Sequence, residues 1–104
     1  MGIDVGIWSG DVVRTGGFRF RADASDVVEG EMYEDESYPL LSGIDPYGDT
    51  IFNCLQLPRF IKELERRFET MDAGPERRRV GSVLDLAREC LDASPHTYLV
   101  FVGD

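Results

Sequence analysis

The run Tyr98–Val102, YLVFV, is the longest wholly apolar stretch of the chain, and it restricts the possible folds more than any other segment. After Thr97 it shows no polar alternation, as expected of a strand at the middle of a sheet and buried on both faces. It is far shorter than the ~20 residues a membrane-spanning helix needs. A central strand requires strands beside it and a layer over it. The rest of the chain offers both.

Ile3, Val5 and Ile7 alternate with Asp4, Gly6 and Trp8, the period-2 pattern of a strand with one buried face. Asp11–Arg14 and Phe18–Arg21 flank Thr15-Gly16-Gly17 and read as a two-stranded ribbon closed by glycines that accept positive φ. Val27, Val28, Met32 and Tyr33 fit another strand or an irregular turn. Asp45-Pro46-Tyr47-Gly48 has the residue order of a type I turn. It leads into a strand over Thr50–Asn53 and delivers Ile51 and Phe52 to the core.

Two segments have helical spacing. After Pro58, Leu57, Phe60, Ile61, Leu64 and Phe68 share one face, with Arg59, Lys62, Glu63, Glu65, Arg66 and Glu69 on the other; this predicts a helix over about 58–70. Val80, Val83, Leu84, Ala87 and Leu91 form a second stripe that ends before Pro95. Its start has two solutions. Pro75 would place Gly81 inside the helix, at about 1 kcal/mol, and Arg77-Arg78-Arg79 against the positive end of its dipole. Ser82, with Asp85 three residues on, avoids both.

These elements predict one α+β domain over residues 1–104: a mainly antiparallel sheet of four or five strands, with both helices on one face. The first and last strands lie near the middle. The second face is half exposed or lies under an acidic segment. A chain of 104 residues buries roughly 60–70% of its unfolded surface, enough for a core without disulfide or metal. Cys54 and Cys90 match neither a disulfide framework nor a metal motif. The N-terminus lacks the basic and apolar regions of a signal peptide, and Gly6 stands where a myristoylation motif requires Ser or Thr. The expected location is the cytoplasm.

The net charge of −9 is unevenly spread: residues 1–52 hold 11 acids and 3 bases (−8), residues 53–104 hold 9 acids and 8 bases (−1). Most of the surplus surrounds Glu29–Asn53, where Glu29, Glu31, Glu34, Asp35, Glu36, Asp45 and Asp49 are interspersed with Tyr33, Tyr38 and Tyr47. Tyrosines give rigid contact area at low entropy cost, while carboxylates steer encounter with a basic partner. These ten residues are the candidate binding surface.

Catalytic chemistry finds little support. His96 is the sole histidine, and no serine or cysteine lies in a nucleophile motif, so no catalytic residue is assigned. No glycine spacing matches a phosphate-binding loop. Asp45 and Asp49 supply too few of the ~6–8 oxygen ligands that calcium takes, and no metal or other cofactor is expected. Arg77-Arg78-Arg79, without interleaved aromatics in so acidic a chain, opposes a nucleic-acid function; it reads as a solvated loop or a counter-patch to the 29–36 acids.

The expected function is therefore a non-enzymatic protein-binding domain that engages a basic surface of another protein. In size and charge it is similar to the small acidic immunity proteins that neutralise bacterial toxins. The alternative is a small enzyme or ligand-binding domain with a pocket around Asp45, Tyr47, Asp49 and Asn53. A structural or accessory subunit, the third possibility, would show an exposed apolar patch on its sheet. Oligomeric state is not legible.

Overall fold

A computed structural model describes residues 2–9, 20–93 and 95–104. Four strands, β1 (Ile3–Ser9), β2 (Phe20–Asp23), β3 (Asp49–Phe52) and β4 (Thr97–Gly103), form one antiparallel sheet in the order β2-β1-β4-β3. The first and last strands are central, as the sequence predicts. Helices α1 (Leu57–Thr70) and α2 (Pro75–Asp92) connect β3 to β4. The Thr15-Gly16-Gly17 ribbon lies outside the described residues apart from its second strand, which is seen from Phe20 and continues to Asp23.

Strand alternation divides the sheet into two unlike faces. Ile3 and Val5 of β1, Phe52 of β3 and Leu99 and Phe101 of β4 point inward, where they meet Leu57, Phe60, Ile61 and Leu64 of α1 and Val80, Val83, Leu84 and Ala87 of α2 in one core. Phe52, Phe60 and Phe101 form an aromatic centre with ring centroids 4.7 to 5.8 Å apart. The two faces of β4 are covered unequally. Leu99 and Phe101 are fully buried on the helical side, while on the opposite face Val100 is buried and Tyr98 and Val102 are half-buried. The turn at 45–48 likewise delivers only Phe52 to the core; Ile51, one residue earlier, points outward and is 47% exposed.

Residues 27–44 resolve as turns and two short 3₁₀ helices, Gly30–Glu34 and Leu41–Gly43, rather than a strand. Val27, Val28, Met32, Leu41 and Ile44 enter the core from this segment. It therefore closes the helical side of the sheet, not the outer face.

Helix α2 starts at Pro75 and not at Ser82. Arg77 packs over the Phe68 ring, 3.8 Å from its centroid, and donates to the Phe68 carbonyl at the end of α1. Arg79 pairs with Asp26. These contacts offset the unfavourable dipole position. Gly81 lets Phe68 approach: a Cβ there would sit 3.2 Å from the ring. The arginine run is thus the first turn of a helix rather than a solvated loop. The cation that meets the 29–36 acids is Arg67, which contacts Glu29 at 3.3 Å.

Candidate functional site

The ten candidate residues differ in exposure. Glu29, Glu31, Glu34, Asp35 and Glu36 are exposed, because the 3₁₀ turn turns Met32 inward and sends its carboxylates outward. Asp35 Oδ1 accepts the Ser37 N–H at 2.8 Å, and Asp45 Oδ1 accepts the Tyr47 N–H at 2.8 Å. Both are local Asx turns that shape the chain. Thr50 Oγ1 accepts the Asp45 N–H at 2.9 Å. Gly103 N–H donates to the Gly48 carbonyl at 2.9 Å, and a Cβ on Gly103 would lie 2.3 Å from the Pro46 oxygen. Only glycine permits that backbone approach, which pins the 45–48 turn against the end of β4.

The structure brings the two halves of the candidate surface together. Burial, aided by the nearby Asp45 carboxylate and by Tyr47, holds the Tyr33 hydroxyl above its ordinary pKa. Tyr33 thus bridges the 29–36 segment and the 45–49 turn. The three tyrosines are not equivalent. Tyr33 and Tyr38 are half-buried against the core, with Arg66 5.2 Å from the Tyr38 ring centroid, while Tyr47 is 67% exposed.

The carboxylates also divide. Asp26, Glu29, Glu65 and Glu89 each contact an arginine. Glu31, Glu34, Asp35, Glu36, Asp45 and Asp49 have no ion pair within 4 Å among the described residues. Elsewhere Asp4, Asp23, Glu69, Asp72, Glu76, Asp92 and Asp104 also lack an ion pair within 4 Å among the described residues, so what marks the candidate surface is the closeness of its acids in sequence.

The proposed alternative pocket finds other duties for its residues. Asn53 Oδ1 accepts the N–H groups of Leu55 and Gln56 at 3.0 and 3.1 Å, while Gln56 Oε1 accepts the Asn53 N–H at 3.0 Å. This is a reciprocal cap on the entry to α1, legible in the spacing Asn53-x-x-Gln56. The described cavities have other linings: a groove of about 530 Å³ beside Pro39, Arg59, Lys62 and Arg66, a second of about 530 Å³ beside Leu40, Leu55 and Pro58, and a cleft of about 150 Å³ beside Ser25, Tyr33 and Pro46. Among the described residues no three His, Cys, Asp or Glu side chains are placed to hold a metal ion, and no helix is long and apolar enough to cross a membrane.

Sequence reasoning missed one residue of the site's framework. Glu63, placed by periodicity on the polar face of α1, is 2% exposed. Its carboxylate accepts the N–H groups of Leu40 and Leu41 at 2.9 and 3.1 Å, so it holds the segment that carries Tyr38 against the helix. Position 63 borders the apolar stripe, three residues after Phe60. Its proximity to buried backbone donors is invisible in sequence.

The chain matches no protein-family model, and comparison with curated proteins and with solved structures gives no match.

Proposed function

We propose that the protein is a non-enzymatic binding domain whose acidic end engages a basic surface of another protein. The observation that supports this reading is the grouping of Glu31, Glu34, Asp35, Glu36, Asp45 and Asp49 in two short segments, none of the six with an ion pair within 4 Å among the described residues. Tyr47 projects beside them as an exposed aromatic contact. An inhibitor of immunity type, covering a basic site on its target, fits the size and charge. The same charge disfavours nucleic acid, whose phosphates it repels. The two cysteines are free thiols, which supports a reducing, cytoplasmic setting.

The test is kinetic. With a binder recovered from the native host, association should slow as ionic strength rises past about 0.1 M, where the Debye length is about 10 Å. Glu34→Gln with Glu36→Gln should slow association and flatten that dependence. Tyr47→Ala should speed dissociation. Unchanged kinetics in every variant would reduce the acidic end to a solvated surface.

A further inference from the structure

The sheet ends in two edge strands, β2 and β3. Helix α2 is tied to β2 through the Arg21–Glu89 pair. The backbone groups that β3 turns outward follow from its register. In an antiparallel pair, opposed residues alternate between exchanging both backbone bonds and exchanging none. Gly48 lies one step beyond the Asp49–Val102 pair, opposite Gly103, and its carbonyl accepts the Gly103 N–H at 2.9 Å. Thr50 and Phe52 are therefore the residues that bond β4. The far side of β4 agrees: the Gly2 carbonyl accepts the Asp104 N–H at 3.2 Å, so in the register Asp4–Val102 and Gly6–Val100 it is Val100 and Val102 that bond β1.

Asp49 and Ile51 are left with N–H and C=O groups pointing away from β4. Both residues are exposed, and no described group bonds that backbone from outside. Asn53, the next outward position, closes the edge itself: its N–H donates to Gln56 Oε1 and its carbonyl accepts the Gln56 and Leu57 N–H groups. Of the large apolar side chains exposed among the described residues, Tyr47, Ile51 and Leu55 fall within nine residues around this strand.

We propose that the free edge of β3 takes up an extended segment of a partner protein as a fifth, antiparallel strand, with a lysine or arginine opposite Asp49 and an apolar residue opposite Ile51. Main-chain bonds to Asp49 and Ile51 hold such a strand, and its alternate side chains give selectivity. Charge selects the occupant. Asp49 has no ion pair within 4 Å among the described residues, Asp4 lies across Val102 from it on the same row, and Asp45 Oδ2 stands next to Gly48. An opposite charge directly across from a strand residue is favourable, as is a β-branched residue beside Ile51. The partner sequence is then apolar-x-basic, read in its own direction. A second copy fits poorly: pairing two β3 edges about Thr50 sets each Asp49 against an Ile51 and joins two chains of −9. The inference rests on the reading of a basic partner and adds the form in which that partner is held.

The probe is a synthetic peptide of about nine residues, threonine-rich with a central Val-Thr-Lys. Amide hydrogen exchange followed by NMR reads the edge directly. In the free protein the Asp49 and Ile51 N–H groups should exchange far faster than those of Thr50 and Phe52. Saturating peptide should slow the first two by about tenfold or more and leave the others unchanged. N-methylation of the peptide amides that face β3 should abolish binding, whereas methylation of the alternate amides should spare it. Ile51→Pro removes one outward donor and keeps the bonds to β4, so it should weaken binding with the fold retained by circular dichroism; if it unfolds, the two methylated peptides still decide. Asp49→Asn should weaken binding and flatten its salt dependence.

Equal binding of the two methylated peptides, or no binding of the unmodified one at millimolar concentration, would overturn strand addition. A host binder that then still required Glu34 and Glu36 would keep the acidic surface as its site, while one indifferent to those acids as well would end both readings. Equal binding of a peptide with glutamate in place of lysine would overturn the basic occupant. Asp49 and Ile51 amides already protected in the free monomer would mean that the chain covers its own edge. Protection that grows with protein concentration, with a dimer in sedimentation, would make a second copy the occupant.

Discussion

Glu63 Oε1 accepts the Leu41 N–H at 3.1 Å across 22 positions of sequence, and with the Leu40 N–H at 2.9 Å it ties a loop to the middle of a helix. A buried carboxylate is tolerated because its oxygens face backbone donors that would otherwise lack partners. Glu63→Ala should cost about 1–3 kcal/mol in urea unfolding, since it strands both donors. Glu63→Gln keeps one acceptor and should cost less. An unchanged midpoint for Glu63→Ala would show that water replaces the carboxylate.

The two faces of β4 should respond differently to truncation. Leu64 and Phe101 are fully buried in the core, whereas Val100 is 6% exposed and outside it. Leu64→Ala should cost about 2–5 kcal/mol and Phe101→Ala about 3–5. Val100→Ala, which removes a smaller side chain from the outer face, should cost about 1 kcal/mol. Thermal melts of the three variants rank the faces directly.

The cysteines should differ in reactivity. Burial pushes the Cys90 thiol up to about 11, with Glu89 and Cys54 adding to the effect, so its thiolate is scarce at neutral pH. Cys54 is only half-buried. In Ellman titration of the native protein Cys54 should react first. Cys90 should react at the rate of unfolding, and early labelling of both would contradict its burial.

Acid should destabilise the fold through two depressed carboxyls. The Ser25 hydroxyl, and then its N–H, hold Asp23 below the ordinary carboxylate range. The Arg21 guanidinium, donating to Glu89 at 2.8 Å, does the same there. A folded pKa below the unfolded one stabilises above the unfolded value, and that stabilisation is lost as pH falls through the folded one. The melting temperature should stay level from about pH 7 to 5 and drop below about pH 4, modestly because both groups are largely exposed. Ser25→Ala should reduce the acid dependence. It should also lower stability at neutral pH, because Ser25 Oγ accepts the Ile3 N–H at 3.0 Å.

Periodicity carried the helices, the strand pair β1 and β4, and their places in the sheet, because each rests on repeating apolar positions with few competing patterns. The start of α2 stays open between Pro75 and Ser82 for a physical reason: the cost of Gly81 and of three arginines can be counted from sequence, but the Phe68 ring that Arg77 and Gly81 receive comes from another helix. Glu63 was misplaced likewise, its partners being 22 and 23 residues away. At the candidate site the acids were legible as a run. Which of them arginines neutralise, and that Tyr33 stands beside Asp45, depend on contacts between distant segments. The outer face stayed hidden because YLVFV looks the same whether one side or both sides are covered.

The central pairing of the sheet joins Ile3 to Gly103 and Ser9 to Thr97, so its middle ladder closes only after Thr97–Gly103 has been synthesised. Until Thr97–Gly103 has been made, β1 has no β4 beside it and β3 has no partner strand; β1 and β2 can pair and the helical hairpin can form, but the four-stranded sheet cannot. Folding is therefore governed by one long-range closure rather than by local contacts, which predisposes it to be slow. Until that closure, Trp8 and the inward residues of β1 remain open to chaperones or to one another.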